Sequence, residues 1–433
     1  VVGKNLKSRR KVFTLGVIAF AFTMSLASAL SAGGGKFEWT TDSAEAKKML
    51  TELQARIENF QFGSETVALA QKIVVADPEF AMGVYYLSAV TPPPDANTEL
   101  EKAVKLSKNA SEGERRFIQA MQTARANNGA NFADAVPLLE ALAAEFPEER
   151  LVQMILGQIY QGAGNSAKAR TAFERALQIG PPSSRARSFL ANDDLLEGEY
   201  ARARETFGAI QRELPDGAAP APVRYGIAFS YLYEGQDERA IETLNHYLGE
   251  YRESGAAESF PEVFIWNSIA RIHLENERAE EAMTAYEKGF ESVPGSGLPD
   301  DQKELWLGRL KHGRCRTLAK LGRHDDAWKE AEEIKAMIDE GGEDAEQYLP
   351  VFHYLIGYLK LEAGEPKDAI EHLQQANPND PFHRLLLARA FDKVGDTENA
   401  EKTYREILES TNNGLERALA YPEAKRRLSA KES

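Results

Sequence analysis

From about Ala44 onward, apolar residues recur at i, i+3, i+4 and i+7, and no sustained stretch alternates with period two. The pattern predicts helices along the whole chain and no sheet. Single glycines interrupt it at Gly164, Gly198, Gly235, Gly322, Gly364 and Gly395, and prolines at Pro181, Pro215 and Pro294. Glycine takes the left-handed conformation that a tight interhelical turn needs. Proline lacks an N–H and ends a helix. The expected element is therefore a pair of short antiparallel helices, many times over.

The pairs share a register. Leu156, Gly157, Tyr160, Ala169, Phe173, Ala176 and Pro181 stand in a unit of 34 residues from Arg150 to Ser183. The next 34 residues carry Leu190, Ala191, Ala203, Phe207 and Pro215, and the preceding 34, from Arg116 to Glu149, carry Ala135, Leu139, Leu142 and Pro147. Two helices that cross closely need a small residue on each. The first helix supplies Gly157, Ala191, Ala228, Ala270, Gly357 and Ala388, and the second supplies Ala169, Ala203, Ala240, Ala282, Ala327, Ala369 and Ala400. Phe173, Phe207, Tyr286 and Tyr404 fill the groove between units.

This spacing resembles the tetratricopeptide pattern L-G-x2-Y…A-x3-F…P with its 34-residue period, over roughly residues 47–414. The resemblance implies an all-α fold, a right-handed superhelical solenoid of helix-turn-helix units. About ten units are expected, at 47–80, 81–111, 116–149, 150–183, 184–217, 221–254, 263–296, 308–341, 350–380 and 381–414. Residues 47–149 form a divergent N-terminal part and 150–414 the regular array. Residues 415–433 are a C-terminal capping helix and tail. In the unit at 308–341, Arg314 stands where Leu is usual and Cys315 takes the small position. The carboxylate clamp of chaperone-adaptor members does not carry over: Asn192 falls near one of its positions, but Ser188 stands where its lysine belongs.

The N-terminus differs in kind. Lys4, Lys7, Arg9, Arg10 and Lys11 form a basic head without acids; an apolar run follows from Val12 to Leu30, with Ala27-Ser28-Ala29 near its end. Basic head, apolar core and small-residue site describe a secretory signal peptide over 1–32, so a periplasmic or secreted location is expected, with residues 33–46 a linker. The alternative is an uncleaved inner-membrane anchor, since the run is long enough to reach the lower edge of a span. Ser8-Arg9-Arg10-Lys11-Val12-Phe13 also resembles a twin-arginine export signal, and the strongly apolar core favours the general route.

Charge narrows the partners. The net charge is −15, and removing residues 1–32 takes away five positive charges and no negative ones. Such acidity disfavours nucleic acid, and a membrane is expected only if the N-terminal segment stays uncleaved. The single cysteine excludes an intrachain disulfide. No H-E-x-x-H, G-x-S-x-G, phosphate loop or dinucleotide fingerprint occurs. His312 and Cys315 share a helix face, but two ligands do not make a zinc site. No catalytic residue, metal or cofactor is expected; an unrecognised enzyme site in 44–115 is the remaining alternative.

The first helix of each unit lines the inner wall of such a solenoid. Projected there are Tyr225, Phe229 and Tyr233, then Asn267 and Arg271, then Arg309, His312 and Arg316, then Tyr354 and Tyr358, then Arg389. Arginine pairs carboxylates in a fork and aromatics anchor apolar side chains. The expected function is a scaffold whose concave face takes a protein or extended peptide of acidic or carboxylate-bearing character. A small-molecule site on Tyr225, Phe229 and Tyr233 is a second reading. Equally open is local packing, with the aromatics wedged between helices and the arginines paired to neighbouring acids.

Overall fold

The computed structural model describes residues 35–92, 95–129, 132–214, 220–254, 262–340 and 345–432. The export signal expected over 1–32 and the helix-ending Pro215 lie outside them. Among the described residues there are α-helices, one short 3-10 turn and no strand. The helices fall into ten antiparallel pairs and a final one. The pairs are α1 (Ala44–Glu58) and α2 (Ser64–Ala76), α3 (Ala81–Val90) and α4 (Asp95–Leu106), α5 (Glu112–Gly129) and α6 (Phe132–Glu145), α7 (Arg150–Gly162) and α8 (Ser166–Ile179), α9 (Ser184–Glu197) and α10 (Tyr200–Glu213), α11 (Ala221–Tyr233) and α12 (Asp237–Ser254), α13 (Glu262–Glu275) and α14 (Ala279–Ser292), α15 (Asp300–Lys320) and α16 (His324–Glu340), α17 (Ala345–Glu362) and α18 (Pro366–Leu373), and α19 (Pro381–Val394) and α20 (Thr397–Glu409). Helix α21 (Leu415–Glu432) closes the chain. None of the described helices is long and apolar enough to cross a membrane.

The local signals act as the residues suggest. All six turn glycines have positive φ, between 71° and 86°. The turn between α13 and α14 has no glycine and places Glu277 at φ 58° instead. Close crossings explain the small positions. A Cβ on Gly157 would lie 2.4 Å from the Phe173 ring. Two further crossings use Gly226 and Gly313, where a Cβ would meet Phe207 at 2.4 Å and Tyr286 at 2.3 Å. Those glycines sit one face away from Ala228 and Cys315, against the second helix of the preceding unit. Cys315 is fully buried, its Sγ 3.0 Å from the Ala327 carbonyl, and burial pushes its thiol up to about 12. It is an inert packing residue.

Three features depart from the expected organisation. The segment expected as a linker, 33–46, is a packed strap where it is described. Phe37 is buried against Phe146 and Phe117, with ring centroids 5.0 Å and 6.1 Å away, and Gly113 lies directly beneath it. The strap's amides also bond acids of the array, Phe37 N to Glu149 at 3.1 Å and Thr40 N to Glu114 at 3.0 Å. Second, α15 and α17 begin at 300 and 345, ahead of the unit boundaries at 308 and 350. Asp300 and Asp301, just after Pro299, favour the early start of α15 through the helix dipole. Pro350 lies inside α17, which runs on through it.

Third, the solenoid winds tightly enough to touch itself. Glu58 and Asn59, at the end of α1, reach the start of the fourth and fifth pairs: Arg150 bridges Glu58 at 2.7 Å, and Ser184 bonds Asn59 at 2.8 Å. The inner helices α11, α13 and α19 line a channel, and α21 lies in it rather than only covering the last unit. Leu415 and Ala418 join the core formed by the helices from α9 to α15, while Ala420 and Ala424 join the core of α15 to α20. One helix thus ties two apolar cores together.

Candidate functional site

The C-terminal segment turns back after α20 and runs along the inner helices α11, α13 and α19. Its path begins with Asn413, whose amide donates to the Asn192 carbonyl and side chain, both at 3.2 Å, and accepts from Tyr233 at 2.7 Å. Glu416 then pairs with Arg271 of α13, and Glu423 with Arg389 of α19 at 2.6 Å. Arg389 is also within 3.3 Å of Glu275. Between them Arg417 is almost wholly buried. It donates to the Ser410 and Leu408 carbonyls at 2.8 Å and 3.3 Å, satisfying the open end of α20, and its guanidinium lies over Tyr421 and Tyr233. Tyr233 itself stacks on Tyr200 at 5.3 Å.

Electrostatics follow from the pairing. Burial alone would raise the Glu416 carboxyl, but the Arg271 charge and hydrogen bond outweigh it and hold it below the ordinary glutamate range. Glu423 behaves alike, with Arg389 overcoming the burial. Both acids stay ionised, and each stands opposite a cation held by a different helix.

The eleven residues projected onto the inner wall divide by role. Tyr233, Arg271 and Arg389 are engaged by α21 and the loop before it. His312, Arg316, Tyr354 and Tyr358 are buried in the wall between units. Tyr225 and Phe229 are half-buried against each other and Tyr247. Only Asn267 and Arg309 stand at an open surface, the mouth of a pocket. The helix-period projection did not show that part of this face is covered by the chain's own end, because Asn413 and Glu416 are 221 and 145 residues away from the groups they meet.

The pocket, about 670 Å³, opens beside the first turn of α21. The early turns of α15 and α17 build its walls with Leu305, Tyr348, Val351 and Phe352, and α16 adds Met337 and Ile338. Its floor is polar: Arg271, Arg316, His312, Tyr354 and His383. His312, Tyr354 and His383 form a stack, with centroids 5.1 Å and 4.0 Å apart. Burial and the nearby Arg316 hold His312 well below its usual pKa, and burial lowers His383 as well, so both rings are neutral at pH 7. His383 was visible in the sequence only as a scattered histidine; its place becomes apparent once α19 abuts α17. Among the described residues no cluster of three or more side chains suited to a metal occurs.

Family models now decide what the helix pairs are. Models of the tetratricopeptide repeat match residues 125–184, 223–254, 265–292 and 360–420. The chain is a tetratricopeptide-repeat protein. Tetratricopeptide arrays present extended concave surfaces to other proteins, and this one has the architecture of an interaction scaffold. Solved structures with a similar course of helices include PilW, a type IV pilus biogenesis factor, at 18% identity over 55% of this chain and 98% of that one with a TM-score of 0.40. A human IFIT1 dimer with PPP-AAAA is similar at 14% identity over 85% of this chain and 95% of that one, TM-score 0.44. A Rap protein complexed with competence and sporulation factor is similar at 13% identity over 89% and 98%, TM-score 0.49. The search of curated proteins gives no match.

Proposed function

We propose that this tetratricopeptide protein is an exported, non-catalytic interaction scaffold whose concave channel holds an amphipathic helix through two carboxylates on the face turned to the wall. In the state described here that helix is α21; in exchange for it, a partner helix of the same chemistry would be taken. The observation that carries the reading is the set of contacts between α21 and the inner helices: Arg271 and Arg389 each grip a carboxylate, and Tyr421 of α21 meets Tyr233 of the wall edge to face at 5.6 Å. These are the arginine and aromatic positions expected to line a partner groove. Export rests on the basic head and apolar run of residues 1–32, and the acidity of the remainder speaks against a polyanionic partner.

The test uses the full chain with Glu416→Arg and Glu423→Arg, which sets like charges opposite Arg271 and Arg389 and frees the channel. A labelled synthetic peptide of residues 411–432 should bind this variant and not the wild type. A variant that keeps its helical content yet binds no peptide overturns the channel reading. Fractionation of cells making the full chain tests export separately: a shortened form outside the cytoplasm supports it, an unshortened cytoplasmic form overturns it.

A further inference from the structure

The pocket beside α21 has a charge imbalance that the channel reading does not use. Arg316 is only 4% exposed, yet among the described residues no carboxylate forms a salt bridge with it. Its two terminal nitrogens donate to the Tyr354 and Tyr286 hydroxyls at 2.6 Å and 3.3 Å, and its Nε has no partner. A buried guanidinium normally has an anion beside it, because neutral hydroxyls replace only part of its hydration. The nearby acids are committed elsewhere. Glu416 pairs with Arg271, Glu275 with Arg389, and Asp380 accepts the Phe382 and His383 amides at the start of α19. Asp301 and Glu304 stand in solvent on the rim. At the mouth, Arg309 is exposed; it lies over the Trp306 ring, 4.9 Å away, and makes no ion pair among the described residues.

The walls above this floor are apolar. Met337 and Val351 are each 46% exposed, and Leu305, Ile338 and Phe352 stand beside them. Exposed aliphatic side chains converging over a buried, unpaired cation suit a ligand with two ends. The pocket's volume falls within the usual range for small-molecule sites.

We propose that this pocket binds a small amphiphilic carboxylate, such as a medium-chain acid. Its head meets Arg316 at the floor, its hydrocarbon body lies against Met337, Val351 and Phe352, and Arg309 adds positive charge at the mouth. The neutral histidines add hydrogen-bonding surface without charge, so recognition of the head rests on the two arginines. The site adjoins the channel that α21 fills and shares Arg271 and Glu416 with it, and the ligand is taken with that helix in place.

Octanoate and octanol are the probes, measured by titration calorimetry against the full chain at neutral pH. Octanoate should bind at one site, and octanol, which keeps the body and loses the charge, about tenfold more weakly or worse. Arg309→Ala should weaken octanoate by a similar factor. Met337→Glu, an exposed position whose new carboxylate would face the ligand body, should remove binding without affecting the fold. Octanoate that fails to bind, or that binds no better than octanol, overturns the proposal. So does octanoate binding that neither substitution changes.

Discussion

Glu416→Gln is expected to loosen α21 from the channel by about 3 kcal/mol, the lower end of what removing one partner of a buried ion pair costs. The substitution keeps the shape of the side chain and leaves the Arg271 guanidinium, 13% exposed, without its carboxylate. Arg309 adds to the cost, since its charge also lies near the same glutamate. The loss should be local. In a solenoid each unit is stabilised by its neighbours, so releasing one helix opens that helix before the rest. Hydrogen exchange by mass spectrometry reads it directly: peptides from 415–432 should exchange much faster in the variant, while those from α3 to α8 stay unchanged.

The same pair sets a pH dependence. Glu416 and Glu423 titrate lower in the folded chain than in the unfolded one. Their contribution is therefore complete above the ordinary glutamate pKa of about 4.3 and is lost as pH falls through the folded values. Acid should release α21 below about pH 4, and between pH 7 and 5 its protection should hold.

Phe37→Ala is expected to destabilise the N-terminal units by about 3–5 kcal/mol, the usual range for deleting a buried phenylalanine ring. Three aromatic rings, Trp39, Phe117 and Phe146, pack on Phe37, and Gly113 leaves room for it and nothing else. Losing the strap also costs Glu149 and Glu114 the amide hydrogen bonds they accept from it. Burial already raises the pKa of both carboxyls, so they would be left desolvated with fewer partners. In thermal unfolding, the variant should show an early transition confined to the helices from α3 to α8, resolved by exchange. An unshifted first transition would mean that the strap does not contribute to the core.

The fold was legible because its signals are local. Turn glycines such as Gly198 and Gly395 mark left-handed positions, and small residues such as Gly157 and Ala169 mark crossings that their neighbours' bulk dictates. What was not legible depends on contacts across more than a hundred residues. Residues 415–433 read as a cap and tail, yet Arg417 is 2% exposed and Glu416 and Glu423 are paired inside the channel. Period alone cannot distinguish an outward face from one turned into a concavity. Two features did leave traces. Phe37 and Trp39 are a dense apolar pair within a supposed linker, and Asp300-Asp301 after Pro299 is a helix start. The pocket's floor left none: Arg316 looked like any inner-wall arginine, and only the surrounding packing shows that it lacks an anion.

The most direct measurement is a cross-link between the loop before α21 and the wall of the channel. With Asn192→Cys and Asn413→Cys in the full chain, the two thiols would sit where side-chain atoms now lie 3.2 Å apart, and the native Cys315 is buried and unreactive. If α21 occupies the channel, a short bis-maleimide should join the two positions within one chain in nearly every molecule. The product would run as a compact species on a denaturing gel, and Glu416→Arg with Glu423→Arg should abolish it. If the wild-type background gives only singly modified chains, the C-terminal helix lies elsewhere and the channel is open.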